Sequence, residues 1–176
     1  MAGVREWRLK PRLENHEVRL RGAFADCTST FGAMGEGAMR DNYSKLYVHL
    51  VWGTWDRLPL ITPEIRLPVY QCLHEQARRN GCELIAVGGI EDHVHALLKI
   101  PTTITIADLA KGLKGGSSHM VNKVLRPGTF FKWQGSYGSF TVSRSHVPMI
   151  RAYVQNQERH HRENRLSPAL ERVTEI

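Results

Sequence analysis

Two histidines, His93 and His95, stand two residues apart in the run IEDHVHALLKI, residues 90–100. If the run is a strand, its period of two puts both imidazoles on one face and Val94 on the other. Two imidazoles so placed can grip one metal ion. Alone the signal is weak and a solvated pair is the plainer reading, because His-X-His occurs by chance on wet faces. Near the C-terminus, HVPMIRAYVQNQERHHREN carries Tyr153 and Gln157 four residues apart. On a helix they share a face, beside a stripe of Val147, Ile150 and Val154 that would dock it. Taken alone, Tyr153 reads as a half-buried packing residue and Asn156-Gln157 as an ordinary surface pair.

The elements that must carry these residues follow from periodicity and punctuation. KLYVHLVWGTW alternates, with Leu46, Val48, Leu50 and Trp52 on one face and Tyr47, His49 and Val51 on the other, which predicts a strand. Thr62-Pro63 opens a helix with proline in its first turn, and Gly81 ends it. CELIAVGGI is a second strand. HVHALLKI follows at once as a third, so the link implies an antiparallel hairpin. Thr105-Ile106-Ala107-Asp108 resembles a capping box and opens a helix toward Leu125. Gly115-Gly116-Ser117-Ser118 should kink or weaken that helix. TFFKWQGSYGSFTVS predicts a strand or hairpin, and a long last helix runs from Ser145 to about Asn164. This order predicts an α+β fold: a ferredoxin-like split βαβ with an antiparallel sheet, helices on one face and a long C-terminal helix.

Residues 1–40 show no sustained period and read as a loosely ordered extension or a short capping element, leaving 41–176 as the domain. Of the 176 residues, 41% are apolar, which is enough for one core. No apolar run approaches the roughly 18 residues a membrane span needs. The N-terminal stretch has no signal-peptide pattern, so a cytoplasmic protein is expected. Cys27, Cys72 and Cys82 match no metal or disulfide spacing and read as reduced thiols. The net charge of +7 favours a polyanionic partner, nucleic acid above all.

Taken together, the segments resemble the HUH single-tyrosine transposases, the IS200-like enzymes of small insertion sequences and their domesticated REP-associated relatives. The resemblance extends over residues 43–164. YVHLVWGTWDR is similar to the family's first strand, DHVHALL to its histidine strand, and LKGGSS with Asn122 to its second helix. FKWQGSYGSFTVSRS and YVQNQERHHR are similar to its closing segment.

The resemblance implies a site. His93 and His95 would be metal ligands, with Gln157 a third through its amide oxygen. Tyr153 would be the nucleophile that attacks a phosphate of single-stranded DNA bearing hairpins, leaving a 5′-phosphotyrosine and a free 3′-hydroxyl. A phenol with a pKa near 10 is a poor nucleophile at neutral pH, and a divalent cation, Mg²⁺ or Mn²⁺, would offset that. The covalent link keeps the bond energy, so rejoining needs no ATP; the chain has no Gly-x-x-x-x-Gly-Lys-Ser/Thr loop. In the family the tyrosine helix packs across a homodimer with composite active sites. Arg57, Lys111, Lys114, Lys132 and Arg144 are candidate DNA-binding cations, and Trp133, Tyr137 and Phe140 candidate stacking aromatics. His160 and His161 either line the site or cap a solvated helix end. Glu91 and Asp92 serve the turn or steady a histidine. The alternative reading is a non-catalytic nucleic-acid-binding module on the same scaffold.

Overall fold

A computed structural model describes residues 43–173. The expected extension over residues 1–40, and Cys27 within it, lie outside the described residues. Strand β1 spans Leu46–Gly53, helix α1 Pro63–Arg79, β2 Glu83–Ile90, β3 His93–Ile100, α2 Ile106–Met120, β4 Gly138–Val142, α3 Val147–Gln155 and α4 Gln157–Arg162. The strands form one antiparallel sheet in the order β2-β3-β1-β4. The α+β split βαβ arrangement read from the sequence is the observed one.

Pairing register divides the sheet into two faces. Trp52 opposes Val94 and Leu50 opposes Ala96, while Val51 opposes His95 and His49 opposes Leu97. The first set faces α1 and α2: Trp52 meets Trp133 edge-on, and Trp133 Nε1 donates to Ser117 Oγ of α2 at 2.9 Å. Helix α3 covers the second face, where Ile150 and Val154 pack on Ala86 and Leu97. The apolar stripe therefore presses the tyrosine-bearing helix onto the face that carries His93 and His95.

Two expectations need correction, and one open choice is settled. Helix α2 runs unbroken through Gly115-Gly116-Ser117-Ser118. A Cβ at Gly116 would run into the Gln76 side chain of α1, so glycine here allows two helices to approach closely. The irregularity falls one turn later, as a π turn over Val121–Leu125. Of the strand or hairpin read over 129–143, the strand is the one observed, as β4, with a single bridge between Thr54 and Trp133. The last helix is not continuous: Asn156, at φ −110° and ψ 22°, separates α3 from α4.

Local signals elsewhere act as read. Pro63 sits in the first turn of α1, and Gly81 adopts a φ of 68° beyond its end, a left-handed conformation that glycine takes without a side-chain penalty. Thr105 Oγ1 accepts from the Asp108 amide at 3.1 Å to cap α2. Cys72 and Cys82 are buried thiols. Among the described residues, no helix is long and apolar enough to cross a membrane.

Candidate active site

His93 and His95 are fully buried on the α3 side of the sheet. Each ring is fixed through its Nδ1. His93 Nδ1 lies 2.6 Å from Asp92 Oδ1, and Asp92 is in turn paired with Arg57 at 3.2 Å. The main chain of Asp92 is pinned as well, because the Thr54 amide donates to its carbonyl at 2.8 Å. His95 Nδ1 lies 2.9 Å from His49 Nε2 on the neighbouring strand. The second nitrogen, Nε2, of each histidine is thus left for the site. A carboxylate or imidazole behind a histidine is the arrangement that orients a metal-ligating ring and fixes its tautomer.

Tyr153 reaches this pair within the same chain. Its ring meets His95 edge-on at a centroid distance of 6.0 Å and stacks on His160 at 4.9 Å. The hydroxyl donates to Glu171 Oε1 in a short hydrogen bond and accepts from the Ser167 amide at 3.2 Å. Glu171 Oε2 lies 3.3 Å from His95 Nε2 and 3.7 Å from His93 Nε2. One carboxylate therefore links the phenol to both imidazoles.

The helix break matters for Gln157. Tyr153 and Gln157 do not sit on one regular helix, yet the Gln157 amide still donates to the Tyr153 carbonyl at 3.4 Å across the break. Gln157 is buried, and its Oε1 has no hydrogen-bond partner. His95 Nε2 is likewise buried without a directed hydrogen bond, despite the nearby carboxylate. An unmade hydrogen bond at a buried acceptor is costly. Two such atoms, an imidazole nitrogen and an amide oxygen, are the donor types a divalent cation accepts. The residues present therefore fit a cation.

Electrostatics follow from burial and from this cluster. Burial, with His95 adding to it against the pull of Glu171, holds His49 down to about 3, so it is a neutral ring. Burial also lowers His95, against an opposing pull from Glu171. The Tyr153 phenol is raised by burial and then by its bond to the Glu171 carboxylate, with Ser167 and Gln157 pulling the other way. Burial works to raise Glu171, but His95, Tyr153 and His93 outweigh it and hold the carboxyl down to about 2.

Two further features frame the site. Arg66 pairs with Glu91 at 3.2 Å and with Glu158, tying α1 to the β2–β3 turn and to α4. Gly88 lies directly under α3, where a Cβ would overlap the Val154 carbonyl oxygen.

The candidate DNA-binding cations divide. Lys111, Lys114 and Lys132 line a cavity of about 390 Å³ with Trp133, Gln134 and Tyr137. Lys132 covers the Trp55 ring at 3.5 Å, and Lys114 donates to the Gly135 and Ser136 carbonyls at 2.8 and 3.1 Å. Arg57 is committed to Asp92 beside the histidines, whereas Arg144 is exposed at the start of the segment leading into α3. Trp133, read as a stacking aromatic, is buried and bonded to Ser117. Phe140 stacks on His49 at 5.7 Å.

Sequence reasoning missed His49 and Glu171 and left His161 open. His49 carried a usable signal, since strand alternation sets it on the face that opposes Leu97. Glu171 had none, because it lies in an irregular segment beyond the last helix.

Comparisons with known proteins agree with this architecture. A family model described as Transposase IS200 like matches residues 42–157. The ISDra2 transposase TnpA of Deinococcus radiodurans is 30% identical over 120 residues, spanning 64% of this chain and 84% of that protein. A crystal structure from Deinococcus radiodurans R1, described as that of a transposase, superposes with a TM-score of 0.51 at 31% identity, covering 70% of this chain and 98% of its own. A REP-associated tyrosine transposase bound to a REP hairpin superposes with a TM-score of 0.52 at 14% identity over 76% of each chain, a likeness of fold. On the extent of the family match and the curated relative, this chain belongs to the IS200-like transposase family of DNA-processing enzymes.

Proposed function

We propose that this transposase cleaves and rejoins single-stranded DNA at hairpin-bearing ends through a 5′-phosphotyrosine, with Tyr153 as nucleophile and His93, His95 and Gln157 holding a divalent metal, Mg²⁺ or Mn²⁺. The observation that carries the reading is the meeting of Tyr153, through Glu171, with the Nε2 atoms of both histidines. A merely structural tyrosine needs no such neighbours, and a binding module leaves two buried acceptors unexplained.

The Tyr153 oxygen attacks the scissile phosphorus and gives up its proton. The bond from phosphorus to the 3′-oxygen breaks, and that oxygen leaves as a hydroxyl. In the reverse step a 3′-hydroxyl attacks the phosphotyrosine and restores the phenol, so the phosphodiester count is conserved. The bound cation would polarise the phosphoryl oxygen and neutralise the charge that develops there. Asp92 and His49 keep the two imidazoles oriented throughout.

DNA would follow the cations, with Lys111, Lys114 and Lys132 along one cavity, Arg57 beside His93 through Asp92 and Arg144 at the entry to α3. The REP-hairpin complex of the fold relative motivates a hairpin substrate. The proximity of Tyr153 to its own chain's histidines supports a site completed within one subunit; a homodimer with composite sites is the alternative. Mixing Tyr153→Phe with a His93→Ala/His95→Ala variant distinguishes them, since activity returns only where sites are shared between subunits.

The test of the whole reading is incubation with hairpin-bearing single-stranded DNA and Mn²⁺, resolved on a denaturing gel. A covalent protein–DNA band that EDTA and Tyr153→Phe both abolish is expected. A band that persists in Tyr153→Phe would refute the assignment of the nucleophile.

A further inference from the structure

His161, which the sequence left open, and Glu171, which it did not single out, stand against the histidine pair. His161 Nε2 lies 3.3 Å from His93 Nε2, with ring centroids 4.8 Å apart. Glu171 Oε2 lies 3.7 Å from His93 Nε2 and 3.3 Å from His95 Nε2. One donor atom each from His93, His161 and Glu171 falls within 4.8 Å of the others. Two donors bound to one ion at about 2.1 Å must sit roughly 3.0–3.5 Å apart at ordinary bond angles. The separations of 3.3 and 3.7 Å are close to that range before any ion has drawn the donors in.

We propose that His161 and Glu171 are metal ligands as well, adding to His93, His95 and Gln157 in a centre that the C-terminal segment completes. This rests on the metal-dependent reading above and deepens it. Three observations argue for ligation over casual packing. The outer nitrogens of His93 and His95 are already occupied by Asp92 and His49, which leaves Nε2 of each facing Glu171. His95 Nε2 is wholly buried with no directed hydrogen bond, a state that a cation relieves. The break at Asn156 re-aims the chain, so that α4 brings His161 back over His93. The consequence is mechanical as well. The carboxylate oxygen not facing the imidazoles holds the Tyr153 hydroxyl, so ligation by Glu171 fixes the nucleophile next to the ion.

The test is calorimetric titration of the metal-free protein with Mn²⁺, repeated for Glu171→Gln, His161→Ala and the control Glu163→Gln. The Glu163 carboxylate is paired with Arg165 at 3.3 Å. Glu171→Gln and His161→Ala should each weaken Mn²⁺ binding at least about tenfold, with the control unchanged. Wild-type affinity in both variants overturns the proposal, as does tighter binding in Glu171→Gln, which would make the carboxylate a competitor. Failure of the parent protein to bind Mn²⁺ overturns it too. Should Glu171→Gln not fold, His161→Ala decides alone. Loss of Mn²⁺ binding in the variants, combined with no DNA adduct in the parent, would keep this centre and refute the strand-transfer reading instead.

Discussion

Glu171 accepts a hydrogen bond from the Tyr153 hydroxyl with one carboxylate oxygen while the other stands 3.3 Å from His95 Nε2. A residue from an irregular C-terminal segment thereby couples Tyr153 to the histidine strand. In the metal-free protein this contact should be measurable as stability. Glu171→Ala should lower the unfolding free energy by about 1–3 kcal/mol, read as a shift of the urea midpoint at constant slope. An unchanged midpoint would show that the carboxylate is not held there in solution.

Tyr153→Phe separates chemistry from binding. The ring still packs beside His95 and His160, and only the hydroxyl's bonds to Glu171 and Ser167 are lost. Covalent capture should vanish, while non-covalent affinity for the same hairpin DNA stays within about twofold. Stability should fall by about 1–2 kcal/mol. Gel-shift titration beside the denaturing gel checks both halves.

Gly88 is where the sheet and the tyrosine helix touch most closely. Gly88→Ala must push the Val154 carbonyl, and with it α3, away from the histidine face. Overpacking of this kind costs about 1–3 kcal/mol. Because Tyr153 rides on the displaced helix, adduct formation should fall further than the loss of folded protein explains. Rates normalised to the folded fraction by circular dichroism would reveal the excess.

The residues behind the histidines should tune metal affinity without touching the ion. Asp92→Asn weakens the hold on His93 Nδ1, and His49→Ala removes the partner of His95 Nδ1. Each should weaken Mn²⁺ binding about tenfold to a hundredfold. Equal affinity in both variants would mean that the rings need no such support.

Cations along the α2 cavity should contribute electrostatically. Lys111→Ala and Lys132→Ala should each reduce affinity for single-stranded DNA about equally across sequences. Each should also lower the slope of log affinity against log salt by about 0.7. Lys114 is already engaged with two carbonyls, so its removal should also loosen the 135–136 turn. A salt slope that does not change on removing Lys111 and Lys132 would exclude that cavity from the DNA path.

The sequence by itself determined the strands, the helix starts and the face that carries His93 and His95. Those features depend on local rules: alternation along β1 and β3, Pro63 in the first turn of α1, Thr105 as a cap. It also placed Tyr153 beside the stripe of Ile150 and Val154, so the docking of α3 was legible. It misjudged Gly115-Gly116 because helix propensity knows nothing of Gln76 on the neighbouring helix, whose close approach favours glycine at 116. It misread the last helix as continuous because nothing periodic marks Asn156. Only the tertiary structure decided that His49 supports His95 from an adjacent strand. It alone brought His161 and Glu171 onto the histidines from beyond the break. Period and propensity describe near neighbours along the chain; this cluster and its supporting ring are assembled from pairs 46 to 78 positions apart, and only the packed sheet and helices fix those distances.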